Sequence, residues 1–301
     1  MKKVLVIGGT GFIGFHIIKQ AKKRGLNVYS ISLHKPKACR YHRGVKYIKA
    51  DFSDFENLKE KLINSNFDYV INAGGYGEHP DFGQEGDQLI KSHLYGLINL
   101  LQILNYKKIK KFIQIGSSSE YGKVKSPIHE EAKCKPNTPY SIAKISCTNI
   151  LLNLYFNEKF PVTIFRLFQV YGPNQEDNRI LPYIIKNCLK NKSFKTTSGK
   201  QYNDFCYIDD VVDAIFKSLF LNKTNGQIIN LGSGKPIKIL NLILLVKKLI
   251  GKGRPSIGGL KYKKGTNMKN FPNIKKAKKI LTWHPKINLI DGLKSTIKSF
   301  K

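Results

Sequence analysis

The segment Val4–Gly14, VLVIGGTGFIG, restricts this chain more than any other. An apolar run ends at Gly8, and Gly9, Gly11 and Gly14 complete a G-x-G-x-x-G pattern that opens an amphipathic stretch, FIGFHIIKQAKKRG. Residues without a β-carbon let the chain turn tightly from a strand into a helix. They also let main-chain N–H groups and the positive end of that helix approach a phosphate. The pattern alone is common. Between a strand and a helix, at the start of a strand–helix–strand unit, it predicts a pyrophosphate-binding turn with Gly8, Thr10, Gly11, Phe12 and Ile13 at the ligand.

The first 170 or so residues keep this rhythm. The β-like runs NVYSISL, VKYIKAD, FDYVINAGG, KKFIQIGSS and PVTIFRLFQV alternate with helix-length segments, among them FENLKEKLINS, EGDQLIKSHLYGLINLLQIL and about 140–157. Strands separated by such helices need right-handed crossovers, and near-continuous apolar strands are those buried on both faces. The predicted class is α/β, a Rossmann doubly wound parallel sheet. After Arg166 the turn signals YGPNQ, TTSGK and LGSGKP break the rhythm, and the last third is helical and basic. A smaller C-terminal substrate-binding region is expected there. Residues 1–165 and 199–233 are assigned to the dinucleotide domain, and 166–198 and 234–301 to the substrate region.

The end of the second strand selects the dinucleotide. NAD sites place a carboxylate there to accept from the ribose hydroxyls. Here the sequence is VYSISLHKPK, with Ser32 at that place and His34, Lys35 and Lys37 just after it. A carboxylate would repel a 2′-phosphate and these groups attract one, so NADP(H) is expected over NAD(H). Asp51 and Phe52, after the third strand, are expected near the adenine, with an N-cap role as the alternative for Asp51. Ala73, Gly74 and Gly75 follow the fourth strand and are expected to line the same cofactor.

Lys and Arg number 52 against 20 Asp and Glu, a formal net charge of +32; from Lys235 onward 18 basic residues stand against one acid, Asp291. Such a surface attracts polyanions. No helix-turn-helix, zinc-finger or aromatic RNA-binding pattern accompanies the lysines, so no specific nucleic-acid partner is expected. No run reaches the roughly eighteen apolar residues of a membrane helix, and the apolar start is too short for a secretion signal. The five cysteines (Cys39, Cys134, Cys147, Cys188, Cys206) lack metal-ligand or redox spacing. That suits reduced thiols, no metal site and a cytoplasmic location.

Tyr140 and Lys144, in TPYSIAK, lie four apart on one face of a helix. A phenol, with a reference pKa of about 10, gives up its proton reluctantly near neutrality, and an adjacent ammonium favours its ionised form. With GGTGFIG, NAGG (72–75), GSSSEYG (116–122), RLFQVYGPNQ (166–175), NDFCYIDDVVDA (203–214) and INLGSG (229–234), the segment YSIAK resembles one family over nearly the whole chain. That family is the extended short-chain dehydrogenase/reductases acting on nucleotide-sugars, the epimerase/dehydratase group. The resemblance implies that Tyr140 is the general acid/base and that Lys144 holds the nicotinamide ribose and assists the tyrosine. Ser117, four residues before Tyr121, would hydrogen-bond the reacting oxygen. A homodimer built on the Tyr140 helix and the helix of about 85–106 is implied as well.

Register within GSSSEYG separates the reactions of that group. Its 4,6-dehydratases place a glutamate two residues before the tyrosine, often after an aspartate, and here Ser119 and Ser118 hold those places. Glu120 falls one residue late, where strand-like backbone turns a side chain to the opposite face. It is therefore expected not as the base but in the sugar pocket, with Tyr76, His79, Ser118, Ser119 and Gln169, the alternative being a loop carboxylate that bonds to backbone N–H groups. Gln169 stands where asparagine is usual, and Asn203 where an arginine commonly contacts the diphosphate. Lys263 and Lys264, in YKKGTN, are expected to supply charge in its stead. NAGGYGEHPDF looks more like bacterial 4-ketoreductases of deoxyhexoses. The expected reaction is NADPH-dependent reduction of the C4 keto group of a nucleotide-linked 4-keto-6-deoxy sugar, in surface-polysaccharide biosynthesis. The alternative is a nucleotide-sugar 4-epimerase with bound NAD; a 4,6-dehydratase and a non-catalytic NADP sensor stand behind it.

Overall fold

The structure, a computed structural model, describes residues 1–63, 65–75, 80–262 and 265–301. The strands of its first half are β1 (Lys3–Ile7), β2 (Asn27–Ser32), β3 (Lys46–Lys49), β4 (Tyr69–Asn72), β5 (Lys111–Ser117) and β6 (Val162–Leu167). Then come β7 (Gln169–Tyr171), β8 (Ser193–Thr196), β9 (Tyr202–Tyr207), β10 (Gln227–Leu231), β11 (Pro236–Lys238), β12 (Arg254–Ile257) and β13 (Lys269–Asn270). The helices are α1 (Phe12–Lys23), α2 (Phe55–Leu62), α3 (Asp87–Ile103), α4 (Pro139–Glu158), α5 (Ile180–Leu189), α6 (Ile208–Ser218), α7 (Ile239–Ile250), α8 (Lys275–Leu281) and α9 (Leu289–Lys298).

A parallel sheet of seven strands, in the order β10-β6-β5-β4-β1-β2-β3, carries helices on both faces, the Rossmann arrangement expected. Alternation along β1 shows why its residues are apolar throughout. Val4 and Val6 join one buried cluster, with Ile17 and Ile18 of α1 and Val211 and Ile215 of α6. Leu5 and Ile7 join another, with Leu58 of α2, Leu97 and Leu100 of α3 and Leu151 of α4. The chain runs from β1 outward to β3 on one side and, through β4, outward on the other. The loops after β1 and β4 therefore diverge and leave a crevice at the carboxyl ends of the strands.

The smaller part holds a second sheet, β11-β9-β13 with β7 beside β9, and the pair β8-β12. The run PVTIFRLFQV, expected as one strand, divides at Phe168, whose N–H donates to Leu231 of β10 (3.1 Å). Gln169 onward then pairs with β9 instead of the large sheet. Position 165 falls inside β6, and β9 belongs to the smaller sheet. Asp204 of β9 is fully buried and accepts from the N–H groups of Ser233 and Lys235 and the Ser233 hydroxyl, tying the β10–β11 loop to the smaller sheet. Among the described residues no helix is long and apolar enough to cross a membrane.

Candidate active site

The glycine turn is packed too tightly for side chains. Gly8 adopts φ +73°, and a Cβ on it would stand 2.7 Å from the Ala73 carbonyl; one on Gly14 would stand 2.1 Å from the Gly8 carbonyl. The helix that follows begins at Phe12 without a side-chain cap and without an acid in its first turn. Its first N–H groups and positive end are thus available to an anion. A cavity of about 410 Å³ opens on this turn, lined by Gly8, Thr10, Gly11, Ser32, His34, Asp51, Phe52, Ala73, Gly74 and Gly75. A dinucleotide fits this set: a substituent-free turn for the pyrophosphate and a carboxylate and an aromatic ring beside it. Ser32 Oγ accepts from Thr10 N–H (3.2 Å) and donates to the Ile31 carbonyl (2.8 Å), fixing the turn to the end of β2. Asp51 Oδ1 accepts from the N–H (2.9 Å) and hydroxyl (2.6 Å) of Ser53. The cap of α2 is Asp54, not Asp51.

A second cleft, of about 380 Å³, shares Gly11, Ala73 and Gly75 with the first, so the two are continuous. Phe12, Ile13, Ser117, Ser118, Tyr140 and Gln169 line it, with Gln175, Asn178 and Arg179 from the loop before α5. Local sequence places each of them. Thr138 caps α4 by accepting from Ser141 N–H (3.1 Å), and Pro139 takes the first helical position, which sets Tyr140 second. One turn on, Lys144 is buried, donates to the Ile115 carbonyl of β5 (3.0 Å) and holds its ammonium 5.7 Å from the centre of the Tyr140 ring. His93 of α3 meets the same ring edge-on, 5.6 Å between centroids.

Glu120 bonds to a backbone N–H, the alternative expected for it, and does not enter the pocket. It is wholly buried and lines neither cavity. Its Oε2 accepts from Arg166 Nε (2.8 Å) and the Thr148 hydroxyl (2.9 Å), and its Oε1 from Ser117 N–H (2.8 Å). Arg166, 2 % exposed, lies over the Tyr121 ring, 4.4 Å from its centre. The carboxylate is the second half of a capping box with Ser117, and the S-x-x-E pattern that announces such a box stands in the sequence as Ser117-Ser118-Ser119-Glu120. A Cβ on Gly116 would come within 2.6 Å of Glu120 Oε1, so the glycine makes the room.

Residues 4–232 match the model of the NAD dependent epimerase/dehydratase family. The chain belongs to that family. It is 28% identical to a UDP-glucuronate 4-epimerase of Thermodesulfobacterium geofontis, over 97% of this chain and 94% of that protein. Its structure is similar to a UDP-glucose 4-epimerase of Thermotoga maritima crystallised with UDP-glucose (26% identity, TM-score 0.89, covering 99% of this chain and 98% of that one). It is similar also to a UDP-glucuronic acid 4-epimerase of Bacillus cereus in complex with UDP-glucuronic acid and NAD (26% identity, TM-score 0.87, 99% and 98%).

Within this epimerase/dehydratase frame the remaining residues fall into place unevenly. Lys35 lines a smaller cavity next to the first rather than the first itself. Ser119 does not line the cleft, and both its N–H (3.2 Å) and its hydroxyl (2.9 Å) donate to Ser117 Oγ. Asn203 is not brought to the cleft: it sits in β9, paired with Ile237 of β11 and Asn270 of β13. Tyr76, His79, Lys263 and Lys264 lie outside the described residues. Sequence reasoning missed Arg40, which is buried, donates to the carbonyls of Thr10 (3.2 Å) and Asn174 (3.2 Å) and pairs with Glu176 (2.8 Å). It ties the cofactor turn to the loop that walls the cleft, a contact across more than 130 residues that no local pattern announces.

Proposed function

We propose that this chain is an NADPH-dependent reductase of the C4 keto group of a nucleotide-linked 4-keto-6-deoxy sugar. One observation carries the reading. In the turn where the group's dehydratases keep their acidic residues, this chain has hydroxyls, and the one carboxylate present is held by Arg166 away from the cleft. Carbonyl chemistry remains. Reduced nicotinamide, when bound, supplies the hydride. Ser117 donates a hydrogen bond to the keto oxygen and keeps its proton: both of its oxygen lone pairs already accept from Ser119, so its O–H is the part left to offer. Tyr140 passes its own proton to the oxygen as negative charge develops there, with the Lys144 ammonium 5.7 Å from the centre of its ring. Gln169 and Arg179, which line the cleft, hold the sugar and its phosphates in this reading. The absence of a carboxylate after β2 supports NADP over NAD.

The similarity to 4-epimerases favours a second reading, an epimerase that keeps its dinucleotide. One experiment separates them. Purified protein is assayed with dTDP-, CDP-, GDP- and UDP-linked 4-keto-6-deoxy sugars for NADPH oxidation, and with the corresponding 4-hydroxy sugar nucleotides for interconversion without added reductant. Stoichiometric NADPH oxidation supports the reductase; interconversion with a co-purifying NAD overturns it. A homodimer through α3 and α4 is proposed with it, because their outer side keeps Tyr95, Ile142 and Phe156 exposed beside a groove lined by Ile98, Leu101, Ile150 and Leu154. Light scattering at about twice 34.2 kDa would support that assembly.

A further inference from the structure

One wall of the cleft is a strap without regular structure, 172–179, between β7 and α5. Its residues Gln175, Glu176, Asn178 and Arg179 line the cleft. Asn174 holds a left-handed backbone (φ +62°), which asparagine tolerates but an unsupported loop does not favour. The shape of this wall therefore depends on what grips it.

Two buried side chains of the dinucleotide half reach across to it. His16, one turn into α1, sits edge-on to the rings of Phe12 and Phe15, and its Nε2 donates to the Pro173 carbonyl (3.0 Å). Arg40 takes the next carbonyl. Its Nε (3.2 Å) and Nη2 donate to Asn174, while Nη1 donates to the Thr10 carbonyl of the glycine turn (3.2 Å) and pairs with Glu176 Oε1 (2.8 Å). One planar guanidinium thus spans turn and strap, and its rigid fork cannot move at one end without moving at the other. It also neutralises a carboxylate on a wall that receives a ligand diphosphate in the reading above.

A pyrophosphate on the N–H groups after Gly11 would fix the Thr10–Gly11 peptide and add negative charge to the turn that Arg40 touches. Both effects hold the guanidinium, and with it the strap, in place. Order imposed by a first ligand is not imposed again by a second. We propose that Arg40 is a positioning residue that makes nucleotide-sugar binding depend on an occupied dinucleotide turn, so that the dinucleotide binds first and sets the strap, with His16 as its fixed anchor. The inference rests on the dinucleotide and nucleotide-sugar readings above and is indifferent to NADPH or NADH.

Amide exchange read by mass spectrometry on the whole protein, with saturating NADPH or NADH, tests this without turnover. The dinucleotide that protects the peptide covering 8–14 is expected to slow exchange over 172–179 as well, by about fivefold or more. It is expected to tighten calorimetric binding of UDP-, dTDP-, GDP- or CDP-glucose by about the same factor. Arg40→Met is expected to keep the protection of 8–14 and lose both other effects. Arg40→Lys, which retains charge without the fork, is expected to fall between, and Arg43→Met, an exposed cation in the same loop, to match the wild type. Glu176→Ala, on the partly exposed strap side, is expected to weaken both effects and serves if Arg40→Met does not fold. A strap unaffected by dinucleotide in the wild type, or still protected in Arg40→Met, overturns the proposal and leaves the dinucleotide reading standing. If NADH alone acts, the proposal stands and the NADPH reading falls. If neither dinucleotide protects 8–14, or no sugar nucleotide binds with it present, the proposal falls with the reading it rests on.

Discussion

Replacing Tyr140 by phenylalanine deletes one hydroxyl from the cleft and leaves the ring against His93 and Lys144. General acid catalysis by a positioned side chain contributes roughly 100- to 10,000-fold. Tyr140→Phe is therefore expected to lower kcat by that order while dinucleotide affinity, read by calorimetry, stays within about threefold. Residual turnover above a tenth of wild type would contradict the proton-transfer role. Glu120→Gln asks the opposite question, because its carboxylate serves the scaffold. The substitution strands the Arg166 guanidinium, 2 % exposed, without its counter-charge. Breaking one side of a buried pair costs about 3–5 kcal/mol. Urea unfolding should show a loss of that size, and a loss below a tenth of it would mean that Arg166 finds another partner. These two residues also mark what a sequence reveals. Tyr140 is legible because a helical i, i+4 pair fixes its neighbour, whereas the fate of Glu120 depends on Arg166, 46 positions away.

At the scale of elements, six of the seven strands of the large sheet, β1 to β6, are written in the chain as apolar runs, and α1 and α3 as 3.6-residue periodicity, whereas β10 is not among the expected strands. The strand β7 is not legible either, because three residues carry no period and their pairing with β9 is decided by Phe168 turning to β10. Lys111 at the start of β5 was equally illegible. In KKFIQIG it looks like a solvated strand flank, yet it is 1 % exposed and its ammonium donates to the Leu221 carbonyl (3.1 Å), the Thr224 hydroxyl (2.8 Å) and Asn225 Oδ1. Among the described residues no carboxylate pairs with it, and burial pushes its pKa down to about 8. The unfolded chain, with a lysine pKa of about 10.4, binds more protons than the folded one between those values, so this group makes stability rise with pH there. Below about pH 8 it is charged in both states and its cost is constant. From pH 7.5 to 9.5 the wild type should gain about 2 kcal/mol relative to Lys111→Met, compared by urea unfolding at both pH values. Equal pH dependence in the two proteins would show that the ammonium is hydrated in the folded state.

For the whole molecule, the +32 charge is the property least explained by the site. The cleft uses one arginine, while about half of the excess, 17 of the 32 charges, lies after position 234. Among the described residues no ion pair includes a side chain after position 234, although lysines crowd α7, α8 and α9. Unpaired like charges repel across a few ångströms in low salt and are screened when the Debye length falls to about 8 Å. Sodium chloride should therefore raise the melting temperature between 20 and 300 mM, the reverse of its effect on a fold held by surface ion pairs. The helix α8 gives the sharper form of this expectation. Lys275 and Lys276 stand in its first turn, where the helix dipole already favours an anion, and no acid is present there. Lys275→Glu removes repulsion and complements the dipole, roughly 0.3–1 kcal/mol at low salt, or about 1–3 °C for a chain of this size. The gain should shrink as salt is added, because both of its sources are screened. A Lys275→Glu gain that is the same at 20 and 300 mM would assign it to packing rather than charge, and would leave the basic surface without an energetic cost for a partner to relieve.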